Sequence, residues 1–393
     1  MVVAGAAARG PTNRLAHLAA ALRAELALRA DALDAAFGPP GPAGTPGPPG
    51  TGGRPALDTV YLGGGTPTLL PTDEVAAILD VVRARFGLAP DAEVTIEANP
   101  GPDERGDPAA LARAGVTRIS IGAQSLHRAE LRRLGRRHGP GDVADAVGEA
   151  RAGGIASVNL DLLYDIPDGS LDAWSASLEA ALALEPDHLS LYALTLDDPD
   201  AEGLTGPGGD HLPTTSGARR WRERAIPAQD EDRAAAQYLH AVERLAGAGW
   251  RGYEISNWAR PGHESRHNLA YWERRSVEAV GPGAHAFDGV ARRWNAAHLG
   301  RYVSPLAPAD GSVPRLPPGG VDVLNPADAA AETVILALRT DRGLPRADAT
   351  DPPLAAVYPW AVEAGLLAVD PGERIVLTTR GRLLSNELFR RLL

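Results

Sequence analysis

The sequence predicts an α/β fold, a parallel sheet backed by helices and either open or closed into a barrel. Short strand-like runs alternate with amphipathic helical patterns from Val60 to Leu194, the order that builds a parallel sheet with crossover helices. Within those runs one alternating set of residues is apolar and the other polar or small. A parallel strand buried on both faces reads as nearly continuous apolar residues. The polar face therefore predicts a ligand chamber rather than a packed core.

A helical pattern over Leu15–Leu33 comes first, followed by a segment, 38–56, composed almost entirely of Gly, Pro, Thr and Ala. That composition reads as a flexible surface insertion. Val60-Tyr61-Leu62 then forms a strand, a glycine turn follows, and Val75, Ile78, Leu79 and Val82 share one helical face. Further strands are expected at Glu93–Ala98, Arg118–Gly122, Ser157–Tyr164 and His188–Leu194, with helices at Asp142–Ala152 and Leu171–Leu184 between them. The polar face carries Thr95 and Glu97, then Ser120, Gly122 and Gln124, then Asn159 and Asp161, then Ser190 and Tyr192.

These elements make residues 1–200 one unit. Residues 201–229 mix Gly, Pro, Thr and charges without periodicity and read as a loop or linker. A helix over Asp232–Gly247 opens a loop-rich region, 230–324. From 325 to 393 the order is helix, helix, hairpin (Leu366–Thr378, turning at Asp370-Pro371-Gly372) and helix, which suits a small winged-helix-like module.

Composition sets limits on function. A chain of 393 residues exceeds the usual size of one hydrophobic core. No run approaches the roughly 20 apolar residues that span a bilayer, and no secretory leader is visible, so a cytoplasmic protein is expected, with peripheral membrane association left open. The net charge of −11 argues against nucleic acid as a partner and favours a structural role for the last module. All basic residues are Arg, a sign of GC-rich codon usage. The absence of cysteine excludes disulfides, thiolate catalysis and Cys-ligated zinc or iron–sulfur centres in the chain as written.

Three groups of residues point to chemistry. Gly63-Gly64-Gly65-Thr66-Pro67 follows a strand, where glycines let the backbone approach a ligand and expose its polar groups. Glu97, Gln124 and Asp161 lie near the carboxyl ends of strands on the polar face, the rim where α/β barrels assemble sites. With Arg136 they offer an acid, an amide and a guanidinium to a ligand bearing amine, carboxylate and ribose hydroxyls. His267, Tyr271 and Trp272 combine an imidazole suited to iron with rings suited to stacking. His263 and His285 read as structural.

From about Leu57 onward the chain resembles the HemW haem chaperones, in the oxygen-independent coproporphyrinogen III oxidase branch of the radical SAM superfamily. The resemblance rests on Tyr61–Thr68, Glu97–Pro100, Ser120–Ser125, Asp161–Tyr164 and His188–Tyr192, then on Tyr253–Asn257, His267–Trp272 and Gly281–His285. It implies a partial (β/α)6 radical SAM barrel lacking its first strand, an α+β HemN-type region and the winged-helix-like module. It implies S-adenosylmethionine (SAM) bound by Gly64, Gly65 and Thr66 at its amino acid moiety and by Glu97, Gln124, Arg136 and Asp161 elsewhere. The His-Asn-x-x-Tyr-Trp motif implies haem bound by His267, Tyr271 and Trp272, with His267 as the iron ligand. Asp165 stands where the family usually has glycine, which puts that turn in question.

The family's Cys-x-x-x-Cys-x-x-Cys loop, which holds a [4Fe–4S] cluster, is missing. The expectation is that Met1 is an internal start and that the cluster belongs to a longer form; as written, the strand edge at Val60–Leu62 would be open. The resemblance implies a haem chaperone serving haem-acceptor proteins, with no catalytic residue named. The competing readings are a coproporphyrinogen III dehydrogenase and an inactive relic.

Overall fold

The computed structural model describes residues 13–41, 53–196, 215–308 and 310–393. The middle of the expected insertion and the first part of the expected linker lie outside the described residues. The described ends of the insertion meet, with Pro40 bridging Arg54.

Helix α1 (Asn13–Phe37) precedes β1 (Leu57–Leu62), α2 (Thr72–Phe86), β2 (Leu88–Ala98), α3 (Pro108–Ala114) and β3 (Arg118–Gln124). Helices α4 (Arg128–Arg133) and α5 (Pro140–Ala152) lead to β4 (Ser157–Tyr164), α6 (Leu171–Ala183) and β5 (His188–Ala193). Strands β1 to β5 pair in sequence order and in parallel. Two short antiparallel strands, β6 (Arg251–Gly252) and β7 (Asn257–Ala259), extend the sheet beyond β5 in the order β5-β7-β6. Among the described residues β1 pairs with β2 alone.

The alternation in the strands is what sorts the two faces. Val94, Ile96, Ile119, Ile121, Val158, Leu160, Leu189 and Leu191 point outward into one continuous core with Leu18 and Leu22 of α1 and Leu79 of α2. Such residues each contribute roughly 1.5–3 kcal/mol by leaving water. The opposite face keeps the polar set free to build the chamber.

Beyond the barrel the chain holds regular elements where loops were expected. The expected 201–229 loop contains helix α7 (Ser216–Ala225), started by the Thr215 side chain accepting from the Ala218 N–H. Its five charged residues in ten, four of them Arg, leave little apolar periodicity to read, yet Arg is a good helix former. Helix α8 (Glu231–Gly247) follows, then α9 (Arg266–Trp272) and a three-stranded sheet of β8 (His285–Phe287), β9 (Ala291–Asn295) and β10 (Gly319–Val323), with α10 (Leu299–Leu306) between β9 and β10. Helices α11 (Pro326–Leu338) and α12 (Leu354–Glu363) precede the hairpin β12 (Leu367–Val369)–β13 (Arg374–Leu377), which pairs with β11 (Leu344–Pro345). This last part has its own core around Leu338, Leu354, Ile375 and Leu388.

A buried carboxylate ties the first helix to the later region. Glu25 on α1 is fully buried and accepts from Tyr302 Oη at 2.7 Å, Gly281 N–H at 2.9 Å and Asn295 Nδ2 at 2.8 Å. Arg29 supplies the opposite charge at 3.2 Å. A buried carboxylate persists only with such partners.

The turn at Asp165 resolves without glycine. Asp165 adopts φ 54°, the left-handed region that glycine usually fills. Asp tolerates it when its side chain bonds locally, and here Oδ1 accepts from Arg233 at 2.6 Å while the Asp165 N–H donates to Gln237 at 2.8 Å. The substitution trades a backbone preference for an anchor to α8.

Candidate functional site

The polar face encloses a cavity of about 490 Å³ at the carboxyl ends of β1 to β5, lined in part by Gly65, Thr66, Glu97, Gln124, Arg136 and Asp161. Six of the seven residues expected to hold SAM therefore share one space. Gly64 lies beside it, with its N–H turned to Glu97 Oε2 at 2.7 Å. Gly64 and Gly65 have φ 83° and 85°, so the turn needs residues without a Cβ. Gly63 needs the space itself: a Cβ there would sit 2.4 Å from Tyr61 Cε1 and 2.8 Å from Glu97 Oε1.

Glu97 fixes this turn. One oxygen takes the Gly64 N–H and the other takes the Tyr61 hydroxyl at 2.8 Å. Burial, with the Glu97 charge added, pushes the Tyr61 phenol well above its ordinary value, so it stays a donor. Thr66 Oγ1 accepts from Asn99 at 2.8 Å.

Asp161 sits at the centre of the opposite wall. It accepts from Ser120 Oγ at 3.0 Å and Asn159 Nδ2 at 2.7 Å. Burial pushes its carboxyl up; the hydrogen bonds from Ser190, Asn159 and Ser120 act against that. Gln124 is at φ 64° where the β3–β4 register shifts, which turns its amide over Gly122. Arg136 makes no side-chain hydrogen bond with a described residue, leaving a guanidinium for a carboxylate ligand.

The other end of the chamber is closed by the segment leading into α9. His263 Nδ1 meets Ser157 Oγ at 3.1 Å, and Arg118 donates to the His263 carbonyl at 3.1 Å. The Ser265 N–H donates to Tyr253 Oη at 3.2 Å, and Tyr253 in turn meets His188 at 2.7 Å. Glu93 on β2 accepts the Arg266 and His267 N–H groups at 3.1 and 3.0 Å, a carboxylate at the start of a helix. This segment and α9 bond to β1 through Thr59, to β2, β3 and β4 directly, and to β5 through Tyr253, so the sheet curls around them.

Both nitrogens of His267 are engaged, Nδ1 with Thr59 Oγ1 at 2.9 Å and Nε2 with Tyr271 Oη at 3.2 Å. Its ring stacks on Tyr61 at 5.1 Å, and burial pushes its pKa down to about 4. Tyr271 is 44% exposed, so its hydroxyl can leave Nε2 for water. Trp272 does not join them. It packs on the Tyr253, Ala259 and Leu269 cluster with the Arg339 guanidinium 4.6 Å from its ring centre. The helical step explains the split: residues four apart share a face and the fifth turns away.

The comparisons with known proteins fit this geometry. The Radical SAM superfamily model matches residues 52–174. The heme chaperone HemW of Mycobacterium tuberculosis is 41% identical over 377 residues, which are 95% of this chain and 85% of that protein. The chain belongs to the HemW family. Another HemW, from Bacillus subtilis, is 29% identical over 345 residues, 86% of this chain and 85% of its own length. The HemW of Escherichia coli K12 is 40% identical over 227 residues, 58% of this chain and 55% of its own. Among solved structures, coproporphyrinogen III oxidase (HemN) from E. coli aligns with a TM-score of 0.71 over 97% of this chain and 83% of that one. At 22% identity that likeness is one of fold.

For this HemW-family chain the cofactor set divides. The donors around the cavity, with two carboxylates, a free guanidinium, an amide and an open glycine turn, fit the polar groups of SAM. The cluster does not fit the residues present: the sequence has no thiolate, and among the described residues no group of His, Asp and Glu could hold a metal. Sequence reasoning placed Tyr192 on the polar face but passed over Tyr61 and Asn99 as site residues, and all three line the cavity. Tyr61 and Tyr192 were legible from their phase with Thr59 and Ser190; Asn99 lies past the end of its strand, where phase gives no signal.

Proposed function

We propose that this chain is a haem chaperone that takes up haem at the His267–Tyr271 corner and passes it to acceptor proteins, with SAM held in the chamber. The observation that carries this reading is the 41% identity to a heme chaperone HemW across 95% of the chain. The chemistry of His267 supports it. A neutral imidazole is the form that ligates iron, and burial keeps His267 neutral well below the usual range. Thr59 on Nδ1 leaves Nε2 as the ligating atom once Tyr271 moves aside, since the bond at one ring nitrogen sets the role of the other. Trp272 supports α9 from the core side.

Gly64, Gly65, Thr66, Glu97, Gln124, Arg136 and Asp161 would hold SAM, which supplies a reducible sulfonium when bound. Arg136 would pair with a carboxylate, Asp161 would accept hydrogen bonds from hydroxyls, and Glu97 keeps the glycine turn in shape.

The test is transfer. Haem-loaded protein mixed with an apo-cytochrome of the b type should shift the absorbance to the acceptor's spectrum, and His267→Ala should abolish it. Tight binding of coproporphyrinogen III without any haem transfer would instead favour the dehydrogenase.

A further inference from the structure

Many arginines on this chain form ion pairs, as in Arg105–Glu149, Arg244–Glu179 and Arg346–Glu373. Others do not, and six of those come from two elements packed against each other. Arg132 and Arg133 end α4, Arg136 and Arg137 follow in the next turn, and Arg220 and Arg224 lie on α7. All six are exposed, and none makes an ion pair with a described residue.

The two elements are held against each other. Trp221 Nε1 on α7 donates to the Arg133 carbonyl at 3.0 Å, and Arg222 donates to the Leu196 carbonyl beyond β5 at 2.7 Å. The arginines therefore form one surface, and Arg136 carries it to the cavity. Glu223 lies on α7 among them, and the Glu104 charge acts on Arg136. On a chain of net charge −11 this cluster stands out as a local positive field that attracts an anionic surface.

We infer that this arginine surface docks an acidic face of a partner protein beside the mouth of the chamber. A protein suits it better than a bilayer. Helix α7 turns its apolar side inward, with Ala225 buried and Trp221 half-buried, so it has little to insert between lipids; Ile226 is the exposed large apolar residue at its end. A bilayer would also present its negative plane to the acidic remainder of the molecule, whereas a protein face can be confined to the patch. Such complementarity steers encounter and weakens with salt. The inference rests on charge and position alone, so it stands or falls independently of haem binding.

The test uses poly-L-glutamate as an acidic polypeptide and vesicles of phosphatidylglycerol and phosphatidylcholine as the lipid arm. The full chain should bind polyglutamate at low salt, lose it as salt rises, and bind it about tenfold or more weakly with Arg132→Glu, Arg133→Glu, Arg220→Glu and Arg224→Glu combined. The alanine series at the same four positions should weaken it less, with the melting temperature and SAM binding unchanged in both. Equal polyglutamate binding by wild type and the Glu variant, or no binding at low salt, would overturn the docking surface. Tighter binding to the vesicles than to polyglutamate would overturn the choice of a protein.

Discussion

The ring of His267 lies over that of Tyr61 at 5.1 Å and 25°, while the Tyr61 hydroxyl donates to Glu97 at 2.8 Å. One strand residue thus touches both the floor of the chamber and the glycine turn at its rim. Tyr61→Phe should keep the stack and lose the bond, lowering stability by about 1 kcal/mol in urea denaturation. Tyr61→Ala should cost about 3–5 kcal/mol, because it also opens a cavity under His267. Equal costs would mean that the stack contributes nothing.

Gly63 tests whether the turn is a binding element. Gly63→Ala must displace both the Tyr61 ring and the Glu97 carboxylate. SAM affinity measured by calorimetry should fall at least about tenfold, roughly 1.4 kcal/mol. Unchanged affinity would place SAM elsewhere.

Glu93 tests how α9 is positioned. Glu93→Ala leaves the Arg266 and His267 N–H groups without their acceptor, which should cost about 1–3 kcal/mol in urea denaturation. Glu93→Gln keeps an acceptor and should recover part of it.

Two histidines set an acid limit. Burial holds His188 well below its ordinary value, and holds His267 at about 4. In the unfolded chain both take up protons near pH ~6.5. As pH falls below that value the unfolded chain binds protons first, so stability is lost from ~6.5 downward, continuing to about 4 for His267 and lower for His188. The urea midpoint should fall between about pH 7 and 5, and His267→Gln should flatten that fall. The same slope in the variant would contradict a buried neutral His267.

The parallel sheet, its polar face and the cradle were legible because a strand's period of two sorts Glu97, Gln124 and Asp161 from Ile96, Ile121 and Leu160 without any knowledge of the fold. The set His267, Tyr271 and Trp272 was legible only as a motif. Its division between chamber and core depends on the rotation of α9, which Glu93 fixes from 173 residues away in sequence. Helix α7 was hidden for a different reason: its charges leave no apolar period to read.

The central claim is that His267 receives haem iron. Titrating haem into wild type and His267→Ala, followed in the Soret region, tests it most directly. The account predicts a saturable Soret band in wild type that is shifted and markedly weakened in the variant. Superimposable titrations of two folded proteins would contradict it.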